Sequence, residues 1–345
     1  MPGIADVAHR AGVSKATASR ALSGGGQVSP ATRERVRAAA SALGYVPSTS
    51  AVSLATGRTR TVGVVIPSLT RWFFSEVLEG VQAVLLDEGL DLTLYDARPG
   101  TEERRRVFDD FLARQRFDGL IAVGLEPDDR ELERLIAIGR PVVSVVGGGP
   151  GTSSVAIDDL RTARRATEHL LELGHTDIAF LGGRADGGGP TVDATRLRGY
   201  RDAMRDAGAA ARHLPAPPSL PGGYAVAVDL LGDSRARPTA IVGVCDEVAI
   251  GAIIAARRLG IPVPGVLSVV GIDDHEYAEM FSLTTLAQSP RAQGAAAARL
   301  LCDQLADPDR APVAESLQAR LVVRSSTAPV AGSESVIVSD TGLRG

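Results

Sequence analysis

Residues 3–22, GIADVAHRAGVSKATASRAL, decide the fold at the start of this chain. Apolar side chains recur at helical spacing in the first half of the stretch and predict the buried face of a helix: Ile4, Val7, Ala8 and Ala11. Gly12 suits the left-handed turn that ends such a helix. Ser14 is a good N-cap for a second helix, predicted from about Lys15 to Leu22. The stretch therefore predicts two short helices joined by a tight turn.

The second helix is predicted to turn Ala18 and Leu22 inward and to expose a polar, basic face. That face consists of Lys15, Ala16, Thr17, Ser19 and Arg20. Two helices at a steep angle, the second presenting such residues, are typical of a helix-turn-helix that places its second helix in the major groove of DNA. The alternative is a small solvated helical hairpin, against which the charge distribution argues.

Charge is divided unevenly along the chain. Residues 1–60 contain eight basic residues and two acidic ones, which gives a net charge of +6. The remaining chain contains 29 basic and 39 acidic residues, which gives −10. A cationic head on an anionic body favours a polyanionic partner for the head alone.

A third helix and a hinge are predicted after the helix-turn-helix. Ser29 is a plausible N-cap and Pro30 suits the first helical position. Val36, Ala39, Ala40 and Leu43 form the predicted buried stripe, and Gly44 ends the helix. Residues 46–60 leave room between Pro47 and Gly57 for only one or two helical turns, which are unstable alone. We expect this hinge to be disordered, or helical only conditionally, in the free protein.

After Thr61 the pattern changes to strands alternating with helices. Val62–Ile66 is a continuous apolar run closed by Pro67, which is typical of a strand buried on both faces. Similar runs follow: Leu92–Tyr95, Gly119–Val123, Val142–Val146, Ile178–Leu181, Ala240–Val244 and Leu267–Ile272. Helical stretches alternate with them: Phe74–Glu88, Glu102–Gln115, Arg130–Ile138, Arg161–Leu173, Thr195–Ala207, Tyr224–Leu231, Glu247–Leu259 and Arg291–Leu305.

Repeated strand–helix–strand units predict parallel α/β sheets with right-handed crossovers. These runs are too many for one compact sheet, so we expect two doubly wound parallel-sheet lobes with a ligand-binding cleft between them. The predicted fold class is an N-terminal all-α helix-turn-helix headpiece plus this α/β core. The expected boundaries are 1–45 for the head, 46–60 for the hinge, 61–330 for the core and 331–345 for a disordered tail.

Composition argues against several other classes of protein. No run of about 18 apolar residues occurs, so no membrane span is expected, and no signal peptide is expected before the first helix. Cys245 and Cys302 have no metal-site spacing and form no disulfide framework, which fits a cytoplasmic protein. No catalytic constellation or phosphate-loop spacing is present, so we expect no enzyme activity, no cofactor and no metal. A periplasmic sugar-binding protein would share the body but not the cationic head.

The chain resembles LacI/GalR-family transcription regulators along nearly its whole length. The matching segments, in family order, are IADVAHRAGVSKATASRAL, VSPATRERVRAAASALGYVP, SLATGRTRTVGVVIPSL, FDGLI, EHLLELGHTDIAFLGG, RLRGYRDAM, CDEVAIGAIIAARRLGIPVPGVLSVVGIDD and LTTL. The resemblance implies a periplasmic-binding-protein-like core, a homodimer, a palindromic DNA operator and a small effector in the cleft. That effector would be a sugar or a related metabolite, and repression is favoured over activation.

The resemblance also implies which residues meet DNA. These are Ser14, Lys15, Ala16, Thr17, Ser19, Arg20, Ser29, Tyr45 and Leu54. Lys15, Ala16 and Arg20 fall where the family reads base edges. The polar positions Thr17, Ser19, Ser29 and Tyr45 are similar to phosphate contacts; the alternative for Thr17 and Ser19 is simple solvation on the helix surface. Leu54 matches a hinge leucine that wedges into the minor groove. Val52 departs from the family, where relatives often carry Arg.

By the same resemblance, six residues are predicted to bind the effector: Trp72, Phe73, Phe74, Arg196, Asp246 and Asp273. Aromatic rings can stack on a sugar or a base, and Arg196 can bind a carboxylate, phosphate or diol through paired hydrogen bonds. The alternatives are core packing for the three aromatic residues, a surface position for Arg196 and an N-cap role for Asp246.

Departures from the family pattern leave the effector open. Cys245 replaces a frequent Asn, and the strand ending at Val146 is followed by glycines instead of a ligand-binding Asp. The cleft therefore offers fewer polar groups to a hydroxyl-rich ligand. A modified sugar, a glycoside, a less polar metabolite or no effector at all are the alternatives to a plain hexose. The tail lacks a leucine heptad, so a dimer without a coiled-coil tetramer is expected.

Overall fold

The computed structural model of the chain describes residues 2–23, 28–45, 57–148, 151–183 and 191–330. Most of the predicted hinge, including Leu54, and the predicted tail at 331–345 lie outside the described residues. Within the described ranges, no helix is both long enough and apolar enough to cross a membrane.

The head consists of three helices: α1 (Ile4–Ala11), α2 (Lys15–Ser23) and α3 (Pro30–Ala42). They enclose a core of small apolar side chains: Val7, Ala8, Ala11, Ala18, Ala21, Val36, Ala39 and Ala40. Gly12 ends α1 in the left-handed conformation, at a φ of 66°, as predicted. Ser29 caps α3 and Pro30 begins it, also as predicted. This packing fixes which side of α2 faces outward.

The first lobe of the core is a wholly parallel sheet covered by helices. Its strands are β1 (Thr61–Ile66), β2 (Asp91–Asp96), β3 (Gly119–Val123), β4 (Val142–Val145), β5 (Ser153–Ile157) and β11 (Ala314–Leu317). Their order is β11-β5-β4-β3-β1-β2. Its helices are α4 (Trp72–Asp87), α5 (Glu102–Arg106), α6 (Asp129–Ala137) and α11 (Pro290–Ala306). The apolar runs of β1 and β3 form its buried centre, whereas the run Leu92–Tyr95 lies in the half-buried edge strand β2.

The second lobe repeats the plan. Its strands are β6 (Ile178–Leu181), β7 (Arg212–Leu214), β8 (Ala240–Gly243), β9 (Ser268–Asp273), β10 (Thr284–Ala287) and β12 (Arg320–Val322). Their order is β12-β10-β9-β8-β6-β7, and only the pairing of β12 with β10 is antiparallel. Its helices are α7 (Asp159–Glu172), α8 (Val192–Asp206), α9 (Leu220–Gly232) and α10 (Asp246–Arg258).

The chain passes between the lobes three times, after β5, after β10 and after β11. Residues that follow β1 touch residues that follow β8 and β9. The carboxyl ends of the two sheets therefore face each other across a cleft, as the fold class predicted.

The stretch Glu102–Gln115 differs from the single regular helix that was predicted. After α5, the chain forms a π turn at Val107–Phe111 and a 3₁₀ turn at Leu112–Arg114. The wider π turn keeps Val107, Phe108 and Leu112 together on the buried side. Gln115 then ends the stretch in the left-handed region, at a φ of 47°. Burial of these apolar side chains has overridden the regular helical repeat.

Candidate DNA-binding head and effector cleft

Helix α2 presents the side chains predicted for base contact. Lys15, Ala16 and Arg20 are exposed, while Ala18 is fully buried beneath them. The Arg20 Nε donates to the Ala16 carbonyl at 3.1 Å, so this guanidinium lies along the helix surface. Thr17 and Ser19 are half-buried. The outer face of α2 is thus a short basic surface on a fixed helix.

Two of the predicted DNA-contacting serines cap helices. The Ser14 Oγ accepts the Thr17 N–H at 3.1 Å, and the Ser29 Oγ accepts the Thr32 N–H at 3.3 Å. Both serines remain exposed, so each hydroxyl is oriented by its helix and open to solvent. Tyr45 is half-buried and packs against the head core. These residues lie on one three-helix body with α2.

Arg196 lies in the second lobe and is buried against two carboxylates. It projects from α8, donates through Nε to Asp159 at 2.8 Å and through Nη1 to the Val244 carbonyl at 2.7 Å, and lies 3.7 Å from Asp273. Only 7% of Arg196 is exposed, which contradicts the alternative of a surface arginine. Arg196 therefore connects the start of α7 with the carboxyl ends of β8 and β9, beside the cleft.

Asp273 is the last residue of β9 and lies beside Arg196. Its backbone φ is 134°, a region that residues with a side chain rarely adopt. The Gln288 Nε2 donates to its Oδ1 at 2.6 Å, and the Gln293 Nε2 donates to the Gln288 Oε1 at 2.7 Å. The strained backbone is thus held by side chains from the segment that leads into α11.

Asp246 does not act as a helix N-cap, which was the alternative to ligand binding. Cys245, not Asp246, is the N-cap residue of α10, so the N-cap interpretation is wrong. Asp246 is fully buried; it accepts the Thr285 hydroxyl at 2.7 Å and the His275 N–H at 2.8 Å. With one bond to each carboxylate oxygen, Asp246 organises the loop that follows β9.

We expect Asp246 and Asp273 to make the stability of the core depend on pH. Burial and the mutual repulsion of these carboxylates raise the pKa of Asp246, and burial raises the pKa of Asp273. At pH values above the ordinary carboxyl pKa, the folded state therefore binds more protons than the unfolded state does. The free energy of unfolding consequently falls as pH rises through the raised pKa values. Urea unfolding at a series of pH values should show this decline. The Asp246→Asn variant should show a shallower decline, and an identical pH profile would contradict the assignment.

Arg71 is the cleft residue that the sequence analysis missed. It precedes α4 in the first lobe, and its Nε contacts the Glu247 Oε2 of the second lobe at 3.3 Å. Its guanidinium carbon lies 5.4 Å from the centre of the Phe74 ring. Asp273 is among its electrostatic neighbours. A second guanidinium therefore reaches the cleft from the lobe opposite Arg196.

Trp72, like Arg71, contacts a residue of the second lobe. Its ring lies 4.7 Å from that of His275, centre to centre, with 37° between the planes. Beside it is a cavity of about 320 Å³ lined by Thr70, Trp72, Ser75, Leu220, Glu247, Ile250, His275, Glu276 and Tyr277. The cavity combines aromatic rings, hydroxyls and carboxylates.

The other two predicted aromatic residues lie in or against the core. Phe74 is 7% exposed and belongs to the apolar centre of the first lobe. Its ring fills the space beside Gly124, where a Cβ would collide with it. Phe73 is half-buried and packs edge-on against Phe74. These positions favour core packing over ligand contact for both rings.

Asp193 is a further polar group that sequence reasoning left out. It lies in the first turn of α8, close enough to Arg196 and Arg71 for both charges to lower its pKa, yet burial outweighs them and raises it. Together with Arg71, Arg196 and Asp273 it gives the cleft both donors and acceptors for polar ligand groups.

Both parts of the chain match known families. Residues 3–48 match the family described as bacterial regulatory proteins, lacI family. Residues 167–327 match the periplasmic binding protein-like domain.

Relatives match over nearly the whole chain. The transcriptional regulator CelR of Thermobifida fusca is 34% identical over 341 residues, covering 94% of this chain and 98% of CelR. The transcriptional repressor PurR of Vibrio campbellii is 33% identical over 337 residues, covering 94% of this chain and 98% of that protein. These relatives are regulators of transcription.

Solved structures of transcriptional regulators also resemble this chain. A CelR–cellobiose complex has a TM-score of 0.69 at 32% identity, covering 94% of this chain and all of that one. A lac repressor dimer bound to operator and the anti-inducer ONPF has a TM-score of 0.82 at 28% identity, covering 95% of this chain and 99% of that one. The chain belongs to the LacI family of transcriptional regulators, with a helix-turn-helix head and a periplasmic-binding-protein-like core.

Proposed function

We propose that this protein is a transcriptional repressor that binds a palindromic operator as a homodimer and responds to a small ligand in its cleft. The observation that carries the proposal is the outer face of α2, where Lys15, Ala16 and Arg20 are exposed on a packed three-helix head. A basic residue on such a helix can donate to the O6 and N7 of guanine. Similarity to PurR, which is named a transcriptional repressor, supports repression over activation.

The proposed division of labour follows the boundaries 1–45, 46–60 and 61–330. The head reads bases through α2 and holds phosphates through Thr17, Ser19, Ser29 and Tyr45. Leu54 in the hinge unstacks the central base step of the operator. The core binds the ligand and joins the two protomers, and 331–345 is a tail.

Dimerisation is supported by apolar side chains that the single chain leaves in solvent. Met280 is 75% exposed, and Tyr277, which also lines the cavity beside Trp72, is 45% exposed; both lie in the segment between β9 and β10. Exposed apolar side chains that lie close together mark protein–protein contact sites. One head reads only a few base pairs, so a two-fold dimer doubles both the contacts and the specificity.

A carbohydrate-like effector fits the cleft best. Arg71, Arg196 and Asp273 provide donors and an acceptor, and Trp72 provides an aromatic face on which a sugar ring can stack. The structure of the relative CelR contains cellobiose, which supports the same chemical class. Because Arg71 already contacts Glu247 across the cleft, a ligand that separates them changes how the lobes meet. Such a change alters the spacing of the two hinges and so couples ligand binding to DNA affinity.

Selection from a random duplex library by the purified full chain tests the proposal. We expect an enriched palindrome, and sedimentation of the complex should give two protomers per duplex. Enrichment of a site without two-fold symmetry, bound by one protomer, would contradict the dimeric reading of DNA.

Lys15→Ala should relax specificity at one base pair in each half-site of the selected palindrome. The loss of a good base contact costs about 1–3 kcal/mol of discrimination. Competition between duplexes that carry each of the four bases at every position measures it. Arg10→Ala removes the same charge from exposed α1 and serves as the matched control. Equal weakening on all duplexes would instead make Lys15 a phosphate contact.

A further inference from the structure

Three arginines lie together at the amino-terminal edge of the first-lobe sheet. Arg114 and Arg116 precede β3, and Arg140 precedes β4. All three are exposed, and none forms an ion pair with any residue in the described part of the chain. We name Arg114, Arg116 and Arg140 the arginine platform.

The two loops that carry the platform are fixed to each other. The Gln115 Nε2 donates to the Ile138 carbonyl at 3.1 Å, and the Leu120 N–H donates to the Pro141 carbonyl at 2.9 Å. The Arg114 guanidinium carbon also lies 4.9 Å from the centre of the Phe111 ring. The two loops that carry the three arginines are therefore held next to each other.

The connection from the DNA-binding head enters the core beside the platform. The backbone N–H groups of Thr59 and Arg60 donate to the carboxylate of Asp118 at 2.8 Å each. Asp118 lies two residues after Arg116, and its own N–H donates to the Thr61 carbonyl at 2.8 Å. Only residues 46–56 separate this entry point from the end of the head. Fully extended, they span at most about 40 Å, so the end of the head lies within about that distance of the entry point beside the platform.

Acidic residues at the same edge lie on both sides of the platform: one group lies beyond β1, and Asp307 and Asp309 are exposed between α11 and β11. Asp118 is buried, and both of its carboxylate oxygens accept hydrogen bonds from backbone N–H groups. Asp87, Glu88 and Asp91 are exposed at the start of β2, which pairs with β1 on the side away from β3. Between these two acidic groups, the exposed charged residues directly before β3 and β4 are the arginines of the platform, on a core whose net charge is negative.

We propose that the arginine platform contacts the phosphates of the DNA to which the head is bound. The inference rests on the proposed function, in which the head binds duplex DNA. Arginines suit phosphate oxygens, and contacts of this kind add affinity without reading sequence. The core then contributes to the total phosphate contact as well as to ligand binding.

The test compares the full chain with the variant Arg114→Gln, Arg116→Gln, Arg140→Gln. Affinity is measured between about 50 and 200 mM salt for a duplex containing the selected palindrome and for an unrelated duplex. If each arginine neutralises one phosphate, the slope of log affinity against log salt should fall by about 2.7 per protomer. Affinity should fall by the same factor on both duplexes.

Two controls accompany the variant. Replacing Arg201, Arg235 and Arg320 with glutamine removes the same charge from exposed positions of the second lobe, and the slope should stay at the wild-type value. Replacing the platform arginines with lysine should retain the slope, and thermal unfolding verifies that every variant is folded. A wild-type slope in the folded glutamine variant would overturn the proposal.

The outcomes separate this inference from the proposed function. If the wild type selects a palindrome and the slopes are equal, the platform fails and the regulator proposal stands. If no palindrome is selected but binding to unrelated duplex still depends on the platform, the platform stands and the proposed operator function fails.

Discussion

Arg196→Ala should lower the free energy of unfolding of the core by about 3–5 kcal/mol, the usual cost of removing one partner from a buried ion pair. The substitution leaves the half-buried Asp159 and the buried Asp273 without their shared cation and removes a donor from the Val244 carbonyl. Urea unfolding followed by circular dichroism measures the change. Arg198→Ala, at an exposed position of the same helix, is the matched control and should change stability by no more than about 0.5 kcal/mol.

The same variant distinguishes the proposed function of the head from that of the core. Because Arg196 lies in the core, the head should still bind DNA at temperatures where the core remains folded, while the response to ligand is lost. Equal urea midpoints for Arg196→Ala and the wild type would show that the buried pair contributes nothing to the core. A normal ligand response would remove Arg196 from the site.

Leu54→Ala should weaken operator binding about tenfold to a hundredfold, a loss of about 1.4–2.8 kcal/mol. The reason is that an apolar wedge stabilises the unstacked, bent duplex, and alanine is too small to fill the opened base step. Fluorescence anisotropy with the selected palindrome measures the affinity. Sedimentation of the variant without DNA should show unchanged association of protomers.

Val52→Ala provides the control for Leu54, since it truncates another apolar side chain of the same hinge. Its effect on affinity should be much smaller than that of Leu54→Ala. If Leu54→Ala binds the palindrome as tightly as the wild type does, the wedge assignment is wrong.

Sequence patterns were sufficient for the head and for the centres of both sheets. Gly12 and the Ser29–Pro30 pair act locally, so their conformations follow from neighbouring residues alone. The runs at Gly119–Val123 and Ile178–Leu181 are buried on both faces and stand out as continuous apolar segments. Edge strands such as β7 and β11 are half-exposed and short, so they left no comparable signal.

The cleft was less predictable because its geometry depends on contacts between distant segments. The sequence drew attention to the aromatic rings, but the structure places Phe74 in the core and brings Arg71, one residue before Trp72, to Glu247. A charge that meets its partner across 176 positions leaves no periodic pattern in either segment. The depth of Asp246 likewise follows from its bonds to Thr285 and His275, which only the folded sheet brings near.

Sequence-specific recognition by the outer face of α2 is the central claim, and the ratio of specific to nonspecific affinity tests it most directly. The dissociation constants of the full chain are measured at physiological salt for the selected palindrome and for an unrelated duplex of equal length. The wild type should prefer the palindrome by at least about a thousandfold, and the double variant Lys15→Ala, Arg20→Ala should lose most of this preference. A wild-type ratio near one, or a double variant that keeps the full preference, would contradict the account.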